Sequence, residues 1–402
     1  MKTLKVLTFS TLFPSSVRPG HGIFVETRLR ELMKSGRVES RVIAPVPWFP
    51  STHPRWGDYA RFAATPAREQ RNGLDVLHPR YLLLPKIGMT SAPLTLALGA
   101  RAAVRQLIAE GFDFDVIDAH YYYPDGVAAA LLARWFGKPL AVTARGSDIN
   151  LIGQHALPRR WMSWAARGAA ASVGVSQALV ERMRSFGVVS PRQVMLRNGV
   201  DVERFNAAPD RAALRESLGV AGSPLMLSVG NLVPLKGHHL VMEALGLLRS
   251  RGLDARLCII GAGPLRAELE ALRDRLGLGD QVRFLGALPQ AELAAWYAAS
   301  DVLLLASERE GWPNVVLESM ACGTPVVATA VGGVPEIVKT PQTGRVVEDR
   351  SAAGLAEAVQ SLWQSPPSRD AVRAHALGFG WQATTDGQLA LFADMTGSAR
   401  HA

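Results

Sequence analysis

Two successive runs of strand-like segments, each interleaved with amphipathic stretches, constrain this chain more than any other feature. The first run reads Lys5–Phe9, Arg41–Val46, Val76–Tyr81, Val116–His120, Leu140–Arg145, Ser172–Ser176 and Val194–Leu196. The second reads Leu225–Gly230, Arg256–Gly261, Val282–Gly286, Val302–Ala306 and Val326–Thr329, with Val346–Val347 as a short late addition. Helical patterns such as His238–Arg249, Leu265–Leu276 and Ala291–Tyr297 lie between the strands. Strands joined by helical crossovers predict parallel sheets covered on both faces. A chain of 402 residues is also too long for one ordinary core. Asn198-Gly199, Pro209 and Gly222-Ser223-Pro224 punctuate the join, which places a boundary near residue 205. The expectation is an α/β protein of two doubly wound domains, with ligand at the carboxyl ends of the strands.

Composition narrows the classes. Two cysteines, Cys258 and Cys322, supply neither a disulfide framework nor a zinc site. Both sit in apolar contexts, read as inert core thiols, and a reducing cytoplasm fits. The opening "MKTLKVLTFSTLFPSS" imitates a signal peptide, with Lys2 and Lys5 ahead of an apolar run, but that run is short and lacks a small-x-small site. Pro85, Lys86 and Pro93 interrupt the apolar stretch 82–100, so no membrane span is expected. Residues 1–200 carry 26 Lys and Arg against 13 Asp and Glu, whereas residues 201–402 carry 18 against 22. A basic first half fits an anionic partner, or simply a generally arginine-rich composition. Nucleic acid is disfavoured, because aromatics do not interleave with Lys and Arg along a strand.

The segment "EREGWPNVVLESMACGTPVV" carries the most chemistry. Pro313 is expected at the first helical position, with the N–H groups of Asn314 and Val315 pointing out of the helix start, ready for an anion. Glu310 precedes that helix and Glu318 lies inside it. If both were helical, their backbones would stand ~12 Å apart along the axis. The paired carboxyls of a glycosidase sit about 5–9.5 Å apart. The layout instead fits the two ends of a longer ligand: hydroxyls at each carboxylate and phosphates between, the outline of a nucleotide-sugar site. Two surface glutamates are the plain alternative. In "GNLVPLKGHH", Lys236 beside a helix start is either a diphosphate site or a solvated first-turn lysine. Gly261 and Gly263 follow a strand, but Arg266 replaces the third glycine of a dinucleotide fingerprint. They form a simple turn or approach a ligand directly. Gly332-Gly333 either turns sharply or lets backbone approach. In the first half, Gly20 and Gly22 lie in the loop after the first strand. His120 ends another strand, as a structural histidine or a site residue. Arg145, Ser147 and Asp148 occupy the equivalent place after the next strand.

These residues together resemble the family-4 retaining glycosyltransferases of the GT-B fold, two facing Rossmann-like domains with a C-terminal helix crossing back. The acid, seven residues, acid pattern of Glu310 and Glu318 resembles the family signature. "VPLKGH", "IIGAGPLRAELE", "FLGAL", "LESMACGTPVVAT" and "GGVPEIV" stand in the family's order. "RPGHGIFVE" is similar to openings in exopolysaccharide and teichuronic-acid branches. The likeness covers nearly the whole chain. It implies an acceptor domain over 1–204, a nucleotide-sugar domain over 205–378 and a returning helix over 379–402. It implies a hexosyltransferase-type enzyme needing no cofactor and no metal. Such an enzyme moves a sugar from a nucleotide diphosphate to a glycan or lipid-linked acceptor for cell-surface polysaccharide.

By resemblance, Glu310 binds the donor sugar, Glu318 the ribose and Lys236 the diphosphate, with the amides near Asn314 and Val315. His120 lies beside the sugar, Gly22 lets its loop close, and Phe284 to Ala287, including Leu285, flank the base. Gly263, Gly311 and Trp312 complete the donor set. Where many members carry an arginine five residues before the lysine, this chain has Asn231. Either Lys236 suffices, or another cation such as Arg145 helps. Helices around "RRWMSWAARGAAA" and over Leu94 to Ile108 could lie on an anionic inner-membrane surface, or pack into the domain. A nucleotide-sugar epimerase and a non-catalytic nucleotide- or nucleic-acid-binding protein are the competing readings.

Overall fold

The computed structural model describes residues 3–83 and 88–397. Lys2, Pro85 and Lys86, which entered the reading of the apolar segments, lie outside the described residues. The chain divides into two compact units, Met1–Asn198 with Gln382–Ala402, and Gly199–Trp381.

Unit 1 contains β1 (Leu4–Phe9), β2 (Val38–Ile43), β3 (Val46–Pro47), β4 (Arg68–Arg71), β5 (Leu74–Leu77), β6 (Arg80–Tyr81), β7 (Val116–His120), β8 (Leu140–Ala144), β9 (Ala171–Gly174) and β10 (Arg192–Met195). Eight of these form one sheet in the order β10-β9-β8-β7-β1-β2-β5-β4, and β3 pairs with β6 separately. Every pairing in the large sheet is parallel except β4 with β5. The chain winds outward from β1 in one direction, then returns to β7 on its other side. That reversal puts a topological switch point between β1 and β7.

Unit 2 contains β11 (Leu225–Val229), β12 (Arg256–Ile260), β13 (Val282–Gly286), β14 (Val302–Leu305), β15 (Val326–Thr329) and β16 (Gly344–Val347). They form an all-parallel sheet in the order β13-β12-β11-β14-β15-β16. Its switch point lies between β11 and β14. β11, β14 and β15 are buried at every residue, as continuous apolar strands covered on both faces must be. The helix His238–Ser250 buries Val241, Met242, Ala244, Leu245 and Leu248, which share one face. With Met226, Leu257, Ile259, Val302 and Leu304 they form one core cluster.

Three details differ from the periodicity. The segments expected as single strands over Arg41–Val46 and Val76–Tyr81 are split, the first into β2 and β3 and the second into β5 and β6. The strand β4 has no apolar pattern at all. Its sequence REQR joins β5 through Asn72-Gly73, both at positive φ (48° and 80°), which is the backbone of a tight hairpin turn. Charges on such an edge strand also discourage pairing with other chains. The helix Gly88–Ala109 runs through Pro93 near its start.

The last helix, Trp381–Met395, sends Leu389, Leu391 and Phe392 into the unit 1 core beside Val6, Val116, Ala141 and Val173. No helix among the described residues is long and apolar enough to cross a membrane.

Glycine is obligatory at the β12 exit. Gly261 has φ +152°, and a Cβ there would lie 1.8 Å from the Gly230 carbonyl oxygen. Gly261→Ala should therefore destabilise unit 2 by about 3 kcal/mol. Gly246→Ala, in the helix His238–Ser250 with open space at its Cβ position, should stabilise by ~0.5–1 kcal/mol. Urea unfolding midpoints check both.

Candidate functional site

The carboxyl-end loops of unit 2 are held together by backbone packing at glycines. Gly237, in the left-handed conformation (φ +67°), ends the 3-10 turn Pro234–Lys236, and a Cβ there would lie 2.2 Å from the Ala306 carbonyl oxygen. Glu308 N donates to Leu235 O at 2.8 Å. The β11 and β14 loops are thus fixed side by side across the switch point.

That proximity brings Lys236 and Glu310 into contact. Lys236 Nζ lies 2.5 Å from Glu310 Oε1, and Ser307 Oγ donates to the same oxygen at 2.7 Å. Ser307 is fully buried, and its carbonyl accepts from Thr329 Oγ1 at 2.6 Å. The β15 loop supports the acid from behind: a Cβ on Gly332 would fall 2.0 Å from Glu310 O, and one on Gly333 2.6 Å from the Trp312 ring. Gly332-Gly333 thus serves close approach within the protein. Trp312 is buried and packs on Phe379 at 6.1 Å.

The helix begins at Asn314, with Pro313 as its N-cap rather than its first residue. Proline's missing N–H and a ψ of 89° suit that half-in position. Asn314 and Val315 open the first turn, and Glu318 follows on the same helix, half-buried. Tyr297 OH donates to Glu318 Oε2 at 3.0 Å. Burial pushes the Glu318 carboxyl up to about 7, against the hydrogen bond from Tyr297. Neither glutamate is a free surface acid.

Of the remaining unit 2 candidates, Gly263 is explained by packing, since its Cβ would meet Leu232 O at 2.4 Å. Leu285 is half-buried in β13, and Gly311 accepts from Gly333 N at 3.2 Å. Asn231 is exposed, and its carbonyl meets His238 Nε2 at 3.3 Å. Sequence reasoning missed His238, which also bonds Ser228 Oγ at 3.0 Å and pins the β11 loop. Burial lowers its pKa to about 4, so it is neutral. Arg350 was missed too: its Nε donates to Ala306 O at 2.9 Å, the carbonyl that Gly237 packs against.

At the switch point of unit 1, Gly22 caps the helix Ile23–Lys34 in the left-handed conformation (φ +68°), with Leu12 O 2.2 Å from where a Cβ would stand. Gly20 has open space around it. The β1 loop is tied to Asp125, which accepts from Thr11 N at 2.7 Å and Thr11 Oγ1 at 2.9 Å. Burial raises Asp125 to about 7. Asp148 accepts from Tyr122 N at 2.7 Å and Gly146 N at 2.8 Å, ordering the turn after β8.

His120 is almost fully buried within a polar chain. Arg145 Nη2 lies 2.7 Å from His120 Nδ1, and His120 Nε2 lies 3.2 Å from Asp118 Oδ2. A guanidinium can only donate, so Nδ1 accepts and the proton resides on Nε2, facing Asp118. Asp118 also accepts from Gln388 Nε2 at 2.7 Å, and Gln388 Oε1 accepts from Arg28 Nε at 3.2 Å. Asn198 Oδ1 accepts from Arg145 Nη1 at 3.0 Å. Burial raises Asp118, but His120, Arg28 and Arg145 outweigh it and hold the carboxyl below its usual range. Burial lowers His120 to about 4 despite Asp118. Both terminal nitrogens of Arg145 are therefore engaged inside unit 1, and His120 is a neutral, doubly bonded imidazole. The His120 carbonyl accepts from Ser10 Oγ at 3.1 Å.

The sign of the pH effect follows. An unfolded histidine titrates near 6.5 and folded His120 near 4, so acidification protonates the unfolded chain first. Stability should fall by roughly 3 kcal/mol from this group as pH drops from about 6.5 to about 4. His120→Gln, which can accept from Arg145 and donate to Asp118, should flatten that limb of a urea-midpoint-versus-pH curve. Glu318 acts on the other limb, because its raised pKa makes stability fall as pH rises from about 4.3 to about 7. Glu318→Gln should remove that decline.

Comparison with known proteins agrees with the topology. The profile of "Glycosyl transferases group 1" matches residues 210–377, and that of "Glycosyltransferase Family 4" matches residues 62–204. D-inositol 3-phosphate glycosyltransferase 1 of Catenulispora acidiphila is 33% identical over 305 residues, covering 70% of this chain and 72% of that protein. The putative teichuronic acid biosynthesis glycosyltransferase TuaC of Bacillus subtilis is 29% identical over 377 residues, covering 91% and 92%. Sucrose-phosphate synthase from Thermosynechococcus elongatus superposes with a TM-score of 0.79 at 21% identity, covering 99% of this chain and 100% of that one. HepE from Anabaena, in complex with UDP, gives 0.71 at 20% identity, covering 98% and 100%. The two switch-point sheets and this kinship agree: the chain is a glycosyltransferase of family 4, with the GT-B fold.

Proposed function

We propose that the enzyme transfers a sugar from a nucleoside diphosphate sugar to a glycan or lipid-linked acceptor in cell-surface polysaccharide synthesis, with retained anomeric configuration. The observation that carries this reading is the Lys236–Glu310–Ser307 cluster at the β11/β14 switch point, beside a helix start that also bears Glu318. Parallel sheets bind ligands at that place. HepE was solved in complex with UDP and with UDP-glucose, and TuaC is named for teichuronic acid biosynthesis; both fit a nucleotide-sugar donor and a surface polysaccharide product.

In this reading, Glu310 accepts hydrogen bonds from donor sugar hydroxyls and Glu318 from the ribose. Lys236 neutralises the diphosphate together with the first-turn amides of Asn314 and Val315. Asn231, Gly263, Leu285, Gly311 and Trp312 shape the same donor region, and no metal or cofactor is assigned a part. In unit 1, Gly22 lets its loop close on the sugar and His120 lies beside it, with Arg145 holding His120. The engaged imidazole is unsuited to carrying a proton. The acceptor hydroxyl instead attacks the anomeric carbon on the face the diphosphate leaves. Its proton passes to the departing phosphate oxygen, which Lys236 stabilises.

We infer that the reaction takes place in the cytoplasm, with peripheral docking at the anionic inner face of the membrane. The helix Gly88–Ala109 supports the docking. Leu94 and Leu98 are 43% and 59% exposed, and Arg101 and Arg105 follow on the same stripe. In the helix Ala156–Gly168, by contrast, Trp161 and Trp164 are half-buried and pack edge to face at 5.9 Å.

Glu310→Gln should lower turnover by about 10²–10³-fold, measured by sugar transfer from a nucleotide-sugar panel. Product NMR should show the donor's anomeric configuration retained. An inverted product, or a donor epimer formed without acceptor, would overturn the assignment. Leu94→Ser with Leu98→Ser should reduce co-sedimentation with anionic liposomes, and binding indifferent to anionic lipid content would reject the docking.

A further inference from the structure

A cavity of about 620 Å³ opens in unit 2 at the end of the sheet opposite Lys236 and Glu310. Its lining includes Pro224, Asp301 and Pro325, the residues just before β11, β14 and β15. Apolar walls come from Leu253, Leu362, Trp363 and the Pro366-Pro367 turn. Its polar side holds three guanidiniums, of Arg211, Arg215 and Arg369, against the single carboxylate of Asp301.

The bonds of these groups show which has capacity left. Asp301 accepts from Arg211 at 2.5 Å, Arg215 at 2.9 Å and Leu225 N at 2.7 Å, so its charge is already shared. Arg215 spends its terminal nitrogens on Asp301 and on the Ala299, Val220 and Ser223 carbonyls. Arg369 spends its own on Ala298, Ser300, Cys322 and Thr324. Both are structural. Arg211 differs: its hydrogen bonds, to Ala299 O and Asp301, both come from Nη2 and leave Nη1 for a ligand. Its side chain remains 31% exposed. Positive charge is locally in excess, and burial followed by repulsion from Arg211 pulls Arg369 down to about 10.

We propose that this cavity is a second ligand site, taking a small organic anion whose flat apolar body rests against Trp363 and the prolines while a phosphate-type head meets Arg211. The volume lies in the range of small-molecule pockets, and apolar walls with one convergent cationic group are their usual composition. Arginine's planar fork matches such an oxyanion head. The site is distinct from the donor region, being at the amino rather than the carboxyl ends of β11, β14 and β15.

Isothermal titration of the full chain with phenyl phosphate, inorganic phosphate and phenol tests this. Phenyl phosphate should bind at one site, with inorganic phosphate and phenol each at least about tenfold weaker. Arg211→Gln and Trp363→Leu should each weaken phenyl phosphate by about tenfold or more. Saturating nucleoside diphosphate should leave its binding intact. Trp363→Leu keeps every arginine, so it decides the matter if Arg211→Gln fails to fold. The proposal is overturned if phenyl phosphate does not bind, if nucleoside diphosphate displaces it, or if Trp363→Leu leaves its affinity unchanged.

Discussion

The organisation of unit 2 rests on backbone meeting backbone without a side chain between. Gly237 against Ala306, Gly261 against Gly230 and Gly332 against Glu310 each place a chain where any Cβ would collide with a carbonyl. These contacts fasten the loops after β11, β12, β14 and β15 into one rigid edge. A flexible lysine and a glutamate meet at 2.5 Å between loops held in this way. The entropy of ordering the two side chains is lowered by the scaffold before they pair.

Unit 1 solves a different problem. It buries Arg28, Asp118, His120 and Gln388, with Arg145 half-buried, around the end of β7, where isolated charges would be costly. Apart from the His120–Asp118 bond, each interaction here is oriented by a donor that cannot accept, the two guanidiniums, or by an amide that does both. The result fixes the histidine tautomer and leaves one charge state for the group. The switch points of the two units thus differ in chemistry: a lysine–carboxylate pair in one, a locked neutral imidazole in the other.

Much of this was legible in the residues. Apolar strand runs reveal themselves because both faces of a parallel sheet must be dry. Glu310 and Lys236 stood out as candidates because each follows a strand and adjoins a helix start. What escaped was set by distance rather than by local pattern. Arg28 and Gln388 stand 360 residues apart, and Gln388 and Asp118 stand 270 apart. Neither spacing leaves a periodic trace. Ser307 and His238 look ordinary in sequence, and only burial beside a carbonyl or carboxylate gives them meaning. The strand β4 was missed for the opposite reason: its Asn72-Gly73 turn was plain, but apolar alternation was the signal sought.

The origin of Gln388 and Phe392 has a bearing on how the protein is made. Both enter the core of a unit most of whose other residues precede unit 2 in the chain, so they leave the ribosome after unit 2. During synthesis, unit 1 therefore carries Asp118 and Arg28 without their amide bridge and a hydrophobic hollow without its plug. Its final consolidation waits until the whole of unit 2 has emerged. Completion of the first lobe reports that the second has been translated.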